Sequence, residues 1–589
     1  MLESSPPHVH RILKNKNVAL FKALLKECGH PDHMLVEEML QGSKLTGLLP
    51  KSNVFPSMPA RAMISEQDLR KASVWVRPRV LGLTTGSGSP QLDSEVWAAT
   101  LEEVAQGWLE GPVEPEQLDL LYPGGWVPAR RFAVSQAEKL RLIDDYSLPQ
   151  VNAAFSASER ILLDDVDRIG GLAKFMMMTA IQAGKPTKLL GRTLDLRAAY
   201  RQLGVAAESG WAAVVAVYCP GQAKAKLFRQ LALPFGASAS VWSFNRFSRA
   251  IHRLGVSIMK LSWCVYFDDF PIIEPEASQR SAYHSSLTLL ALLGWDVSSG
   301  ESKAAAFAEV MPALGVEFDL TNSARGACLV GNKASRVTQL RALAANTLES
   351  GHLLPRDAAS MRGRYQYAEG QTFGHAACSA LFSLGVRSRQ PGGQSDLTEE
   401  LRQAIGWLAS HVINCPPRRV PMPDGSPPLI IFTDGAFEPG AEGNMVATCG
   451  GVLVDGGRCR SYFGAVVPPR LTKLWASEGS KQLIGQIELV PVVLARRLWA
   501  SQIQGRKLIC FLDNEAGREG LVKGFSPAMY SRQILQAIAA EELKAQAWPW
   551  FARVSTHSNV ADAPSRLDFT DMLRMGAREV PIPDHTWDL

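Results

Sequence analysis

Two adjacent carboxylates, Asp268 and Asp269, follow the apolar run Trp263-Cys264-Val265-Tyr266-Phe267. Like charges this close resist joint ionisation. A divalent cation, which prefers hard oxygen ligands, offsets that repulsion; the bland alternative is a solvated β-turn. Upstream, Thr193-Leu194-Asp195-Leu196 is a short β-favouring run with one carboxylate, followed by Ala198-Ala199-Tyr200 at a helix start. Between them, Leu233-Pro234-Phe235-Gly236-Ala237-Ser238 reads as a turn entering a helix at Trp242–Phe247. One carboxylate on a strand facing two on a neighbouring hairpin would hold a pair of magnesium ions. Two ions ~3.5–4 Å apart activate an attacking hydroxyl and stabilise a leaving oxygen in phosphoryl transfer.

A second set of acids lies further along. Ile430-Ile431-Phe432-Thr433-Asp434-Gly435 is a strand ending in a carboxylate, and Thr448 to Val454 suits the next strand of an antiparallel hairpin. Glu488 is the one acid of the amphipathic helix around Ile487-Glu488-Leu489-Val490, and Leu508 to Asp513 is again an apolar strand ending in an acid. Asp562 sits in Ser558-Asn559-Val560-Ala561-Asp562-Ala563-Pro564-Ser565-Arg566. Four acids on buried elements would converge on another two-metal site, although an Asp-Gly after a strand also marks ordinary turns.

The elements that position these acids belong to a chain of 589 residues, long enough for three or four domains. With 46% apolar and 20% charged residues it has a globular balance, and no run approaches the ~20 apolar residues of a membrane helix. The start, MLESSPPHVH, lacks the features of a secretory signal. Nine cysteines stand singly, which argues against zinc ribbons and disulfide frameworks and for a reducing compartment. A net charge of +5 means that any nucleic-acid surface must be local.

Residues 1–95 read as poorly defined, with helical fragments such as Val18 to Leu25 and no chemical motif. A helix is expected from Thr100 to near Gly107, then alternating strands and helices to Leu320. A helical stretch follows through Tyr365, then the linker Gln390–Ser395, a helix from Thr398 to Val412 and a proline-rich tether from Cys415 to Pro428.

Asp195-Leu196-Arg197-Ala198-Ala199-Tyr200, Leu233-Pro234-Phe235-Gly236 and Tyr266-Phe267-Asp268-Asp269, in this order and spacing, resemble the three central motifs of retroelement reverse transcriptases. Lys139 to Tyr146, followed by Asn152, is similar to the fingers motif; Leu293-Gly294-Trp295 with Lys303, then Leu314-Gly315-Val316, is similar to the later palm motifs. Ser147 departs from the arginine that many members carry there. The series Asp434, Glu488, Asp513, Asp562 resembles a ribonuclease H, and Asn559-x-x-Asp562-x-x-Ser565-Arg566 looks like that of the tyrosine-recombinase (DIRS-like) group. His557 lies too close to Asp562 for the usual catalytic histidine and reads as a loop residue.

The resemblance implies an α+β multidomain chain, a right-hand polymerase (fingers, palm and thumb) followed by an α/β ribonuclease H-like domain. Its expected divisions are residues 1–95, an extension of unknown role; 96–320, fingers and palm; 321–390, thumb or connection; 391–428, linker; 429–570, ribonuclease H-like; and 571–589, a tail. Asp195, Asp268 and Asp269 would hold one pair of Mg²⁺ ions, with Mn²⁺ a possible substitute, and Asp434, Glu488, Asp513 and Asp562 another. Arg141 would grip the triphosphate through a bidentate fork, Tyr200 would exclude a ribose 2′-hydroxyl, and Phe235 and Gly236 would line the nucleotide, the glycine permitting close backbone approach. Lys303 would protonate the leaving pyrophosphate.

The implied activity is RNA-directed DNA synthesis for a retrotransposon, with cleavage of the RNA of the hybrid. Partners would be RNA template, DNA primer, RNA/DNA hybrid and deoxynucleoside triphosphates, inside the cell in cytoplasm or nucleus, with no membrane. Two other readings stand beside it: a catalytically silent, element-derived nucleic-acid-binding protein, and an RNA-copying RNA polymerase, which the ribonuclease H-like region and Tyr200 count against. Arg362-Gly363-Arg364-Tyr365-Gln366-Tyr367 and Arg496-Arg497 suit either a groove along a phosphate backbone or solvated basic faces. No zinc knuckle, aspartic-protease motif or integrase-like zinc motif is evident.

Overall fold

Apolar runs broken by glycine, proline and capping residues cut the chain into a mixed α+β succession of helices and strands. The computed structural model describes all residues except 137–138, 299–305, 371–375, 392, 394, 423–424, 440–444, 478–482 and 589. It divides into two units: Met1–Leu314 with Leu320–Arg325, and Gly315–Asp319 with Gly326–Leu589. Among the described residues, no helix is long and apolar enough to cross a membrane.

The first unit opens with short helices α1 (Pro7–Leu13), α2 (Val18–Glu27) and α3 (Leu35–Gln41). Helix α4 (Pro90–Ala105) starts where the Ser89 side chain accepts from Leu92 N–H, with Pro90 at the first position. It begins ten residues before the expected Thr100, so position 95/96 falls inside one helix. Strands β1 (Leu109–Val113), β2 (Pro128–Gln136), β3 (Lys139–Asp145), β5 (Val214–Cys219) and β6 (Lys224–Gln230) form a sheet in the order β1-β6-β5-β2-β3. A separate antiparallel pair joins β4 (Leu189–Asp195) to β7 (Asp269–Pro275).

Helix α5 (Ser238–Ser257) buries Phe244, Phe247, Ile251 and Leu254 at helical spacing. Helix α6 (Gln279–Leu293) stops at Gly294, whose left-handed backbone closes it. Residues 1–95 are not a loosely defined extension. Val9, Leu13, Phe21, Leu25 and Leu35 share a core with Phe244 and Trp295, and the wholly buried Arg246 of α5 forks onto Asp32 (2.7 and 3.0 Å) and also pairs with Glu38. Helices of seven residues are too short to show a period; tertiary packing holds them.

In the second unit, α7 (Ala334–Ser350), α8 (Pro355–Glu369), α9 (Cys378–Ser388) and α10 (Glu399–Trp407) pack around Leu340, Tyr365, Leu384 and Ile405. The proline-rich tether is pinned, since Arg418–Arg419 pairs antiparallel with Leu329–Val330. A six-stranded sheet follows: β8 (Leu429–Pro439), β9 (Met445–Asp455), β10 (Arg458–Val466), β11 (Lys507–Leu512), β12 (Trp548–Arg553) and β13 (Arg578–Glu579), in the order β12-β11-β8-β9-β10-β13. Strands β8, β11 and β12 run parallel, while β8-β9-β10 is an antiparallel meander. Helices α11 (Ile484–Leu498) and α13 (Met529–Ala545) cover one face, packing Val490, Leu494 and Ile534 on Ile431, Leu508 and Cys510; α12 (Glu515–Lys523) follows β11.

Candidate active sites

In the first unit, antiparallel register sets Asp195, the last residue of β4, opposite Asp269, the first of β7. Tyr266 and Asp269 close a tight turn through reciprocal 2.9 Å backbone hydrogen bonds. Phe267 takes a left-handed φ of 52° there, a conformation that costs a non-glycine residue ~1–3 kcal/mol and clusters at functional sites. Asp268 and Asp269 are thereby held half-buried at a hairpin tip, and the Asp268 carbonyl accepts from Leu196 N–H at 3.2 Å. Ser298, to which no role attached in the sequence, donates its hydroxyl to Asp195 Oδ2 at 2.6 Å.

Tyr200 follows Asp195 in a 3₁₀ turn and is 5% exposed. Its ring stacks on Phe244 (4.6 Å, 24°) and tilts against Phe235 (4.7 Å), which itself is 43% exposed. Burial, with a smaller contribution from the Asp268 charge, pushes the Tyr200 hydroxyl well above its ordinary pKa and keeps it protonated. Gly236 has φ +97°, and a Cβ there would meet the Asp144 carbonyl at 2.0 Å. Its close approach in the folded chain is to the Asp144 carbonyl of β3. The Asn152 amide clasps the same turn, donating to Gly236 O (3.0 Å) and accepting from Ser238 N–H (2.8 Å).

Arg141 stands exposed on β3 and does not pair with Asp144. That acid, buried, takes a bidentate fork from Arg131 (2.7 and 2.9 Å). Lys303 lies outside the described residues.

In the second unit Asp434, Glu488 and Asp513 each offer a carboxylate oxygen within 4.8 Å of the other two. Asp434 sits on β8, Asp513 follows β11, and Glu488 faces them from α11. Gly435 permits this: a Cβ at that position would lie 2.6 Å from the Ile487 carbonyl, so only glycine lets α11 come so close. Asn514 caps α12 by accepting from Gly517 N–H (2.8 Å), which fixes the backbone beside Asp513.

Burial, then the neighbouring carboxylates Asp513 and Asp562, raise Asp434 to about 7 against the lowering pull of a Ser565 hydrogen bond. Burial, then Asp434 and Asp513, raise Glu488 to about 9. Glu488 Oε2 and Asp513 Oδ1 are buried without hydrogen-bond partners. Crowded carboxylates with orphaned buried oxygens fit a hard divalent cation.

Asp562 is outside that closest trio. It starts a short helix, Asp562–Ser565, and its carboxylate pairs with Arg566 (3.3 Å), while its charge still reaches Asp434. The same helix serves Asp434 directly. Ser565 donates its hydroxyl to Asp434 Oδ2 at 2.5 Å, and Asn559 donates to Oδ1 at 3.2 Å. His557 lies in the exposed turn before that helix.

Several basic candidates turn inward. Arg496 is buried and pairs with Glu542 (2.9 Å), and Arg497 binds Glu541 and the Thr586 carbonyl. Tyr365 is core, with its hydroxyl on Leu340 O (2.9 Å), whereas Arg362, Arg364 and Tyr367 are exposed on α8.

No protein-family description and no curated protein matches this chain. Solved structures similar to it include foamy viral protease-reverse transcriptases. One, the "dRH" form with double-stranded DNA, is 14% identical over 91% of this chain and 82% of that one, with a TM-score of 0.40. A complex with RNA/DNA hybrid is 11% identical over 94% and 86%, TM-score 0.39. Another with double-stranded DNA is 14% identical over 93% and 97%, TM-score 0.39. The functional reading rests on this chain's own residues.

Proposed function

We propose that the chain is an RNA-directed DNA polymerase of a retrotransposon, joined to a ribonuclease H that cuts the RNA of the hybrid. The observation that carries the reading is the Asp434–Glu488–Asp513 trio, whose buried oxygens lack partners, in one chain with the opposed Asp195 and Asp269. Asp195, Asp268 and Asp269 would hold the divalent cations of synthesis; Asp434, Glu488 and Asp513, with Asp562 nearby, those of cleavage. When bound, such cations neutralise charge developing on the attacking and leaving oxygens.

The chain's own residues supply placement. Ser298 orients Asp195, Ser565 and Asn559 orient Asp434, and the strained turn at Phe267 presents the acidic doublet. Tyr200, braced by Phe235 and Phe244, acts as the wall against a ribose 2′-hydroxyl. Arg141, exposed on β3, is available to a triphosphate. The DIRS-like affinity belongs to this proposal through the Asn559–Arg566 signature, and the intracellular setting through the singly placed cysteines.

Primer extension on poly(rA) with an oligo(dT) primer, Mg²⁺ and dTTP tests the reading. Extension by the parent and none by Asp268→Asn/Asp269→Asn is expected. A folded parent that binds the hybrid without extending it would favour the silent binding protein.

A further inference from the structure

A polar cavity of about 460 Å³ in the first unit is lined by none of the seven acids considered above. Its wall combines the end of α1 and the residues beyond it, the turn after α4 and the segment beyond β4. Four of its cations are Arg11, Lys14, Lys16 and Arg197, and Asp296 is its carboxylate. Arg11 and Lys14 close α1, where cations suit the helix dipole without any ligand. That account does not reach Lys16 or Arg197.

Lys16 carries the argument. It is 7% exposed, and its Nζ donates to two neutral acceptors, Gln202 Oε1 (2.5 Å) and the Gly294 carbonyl (2.7 Å), 4.1 Å from the face of Trp295. No carboxylate among the described residues comes within the 4.0 Å of an ion pair with it. A buried cation without a counter-charge is costly. Burial accordingly pushes Lys16 down to about 7, against an upward pull from Asp296. Of the other lining cations, Arg11, Lys14 and Arg197 are exposed and make no ion pair among the described residues.

Three exposed cations without ion pairs among the described residues thus line the same cavity as one buried, uncompensated cation. The volume suits a nucleotide-sized ligand, and the lining includes the half-buried aromatic Trp108. We propose that this cavity is a second anion site, separate from both acidic centres, that binds the polyphosphate group of a small molecule, either free pyrophosphate or a nucleoside triphosphate.

The test uses the full chain carrying Asp268→Asn/Asp269→Asn, in EDTA, so that neither metal-dependent centre contributes. Titration calorimetry with inorganic pyrophosphate should show saturable binding at one site. Lys16→Met should weaken it about tenfold or more. So should Arg11→Ala/Lys14→Ala, whose exposed side chains do not hold the fold. A dTTP arm assigns the source: tighter binding than pyrophosphate identifies the nucleotide, and equal or weaker binding identifies pyrophosphate. No saturable binding, or binding untouched by both variants, overturns the proposal. So does single-stranded RNA whose binding those variants weaken when pyrophosphate does not bind. None of these outcomes depends on the chain being a polymerase.

Discussion

At the scale of the residue, the two centres rest on side chains that orient acids. Ser565 is wholly buried and donates to Asp434. Its replacement by alanine should lower hybrid cleavage ~10–100-fold, the usual cost of losing a partner that orients a metal ligand, while DNA synthesis stays at the parental rate. A circular dichroism spectrum like the parent's separates that result from misfolding. Tyr200→Ala should relax discrimination against ribonucleotides by roughly tenfold or more; single-nucleotide incorporation of UTP against dTTP measures it, and unchanged rejection sinks the gate. Asp434, Glu488 and Asp513 were legible because a lone acid closing an apolar strand, or set in an apolar helix face, has few structural reasons to be there. Their helpers were less so. Asn559 and Ser565 stood inside a motif, but the target of their hydrogen bonds lies about 130 residues away and no local pattern names it. Ser298 gave no signal at all, and Arg131 answers Asp144 because strand register sets the two opposite each other.

At the scale of the element, strands were read more securely than short helices. The strand that carries Asp434 and the helix after Thr398 follow from an apolar run and from helical apolar spacing, both local, although the strand does not end at Asp434 as expected but continues to Pro439. Helices α1 and α3 did not, because each is too short to show a period and gains its stability from the first unit's core, whereas α2 agrees with the helical fragment read at Val18 to Leu25. Arg246 is the measure of that integration. Arg246→Met would leave Asp32 buried without its counter-charge, and a loss of ~3–5 kcal/mol is expected, read as a lower denaturant midpoint of the first unit. A cost below 1 kcal/mol would contradict the clamp. Lys16, between α1 and α2, adds a pH signature. Its folded pKa, about 7, lies below the ordinary 10.5, so between those values the unfolded chain binds more protons and stability rises with pH. Below pH 7 the penalty is complete. Thermal melts from pH 7 to 10 should therefore show a rise in the parent that Lys16→Met flattens; parallel profiles would refute it.

At the scale of the whole molecule, two units each carry an acidic centre built on a different frame. One is an opposed strand pair with a strained hairpin, the other a six-stranded sheet met by a helix at Gly435. The centres share no residue, so the account requires separable activities. The most direct measurement follows primer extension and RNA cleavage together on one labelled RNA/DNA hybrid with Mg²⁺, for the parent, Asp513→Asn and Asp268→Asn/Asp269→Asn. The account predicts that Asp513→Asn extends and does not cleave, while the doublet variant cleaves and does not extend. Loss of both activities in either folded variant would contradict it.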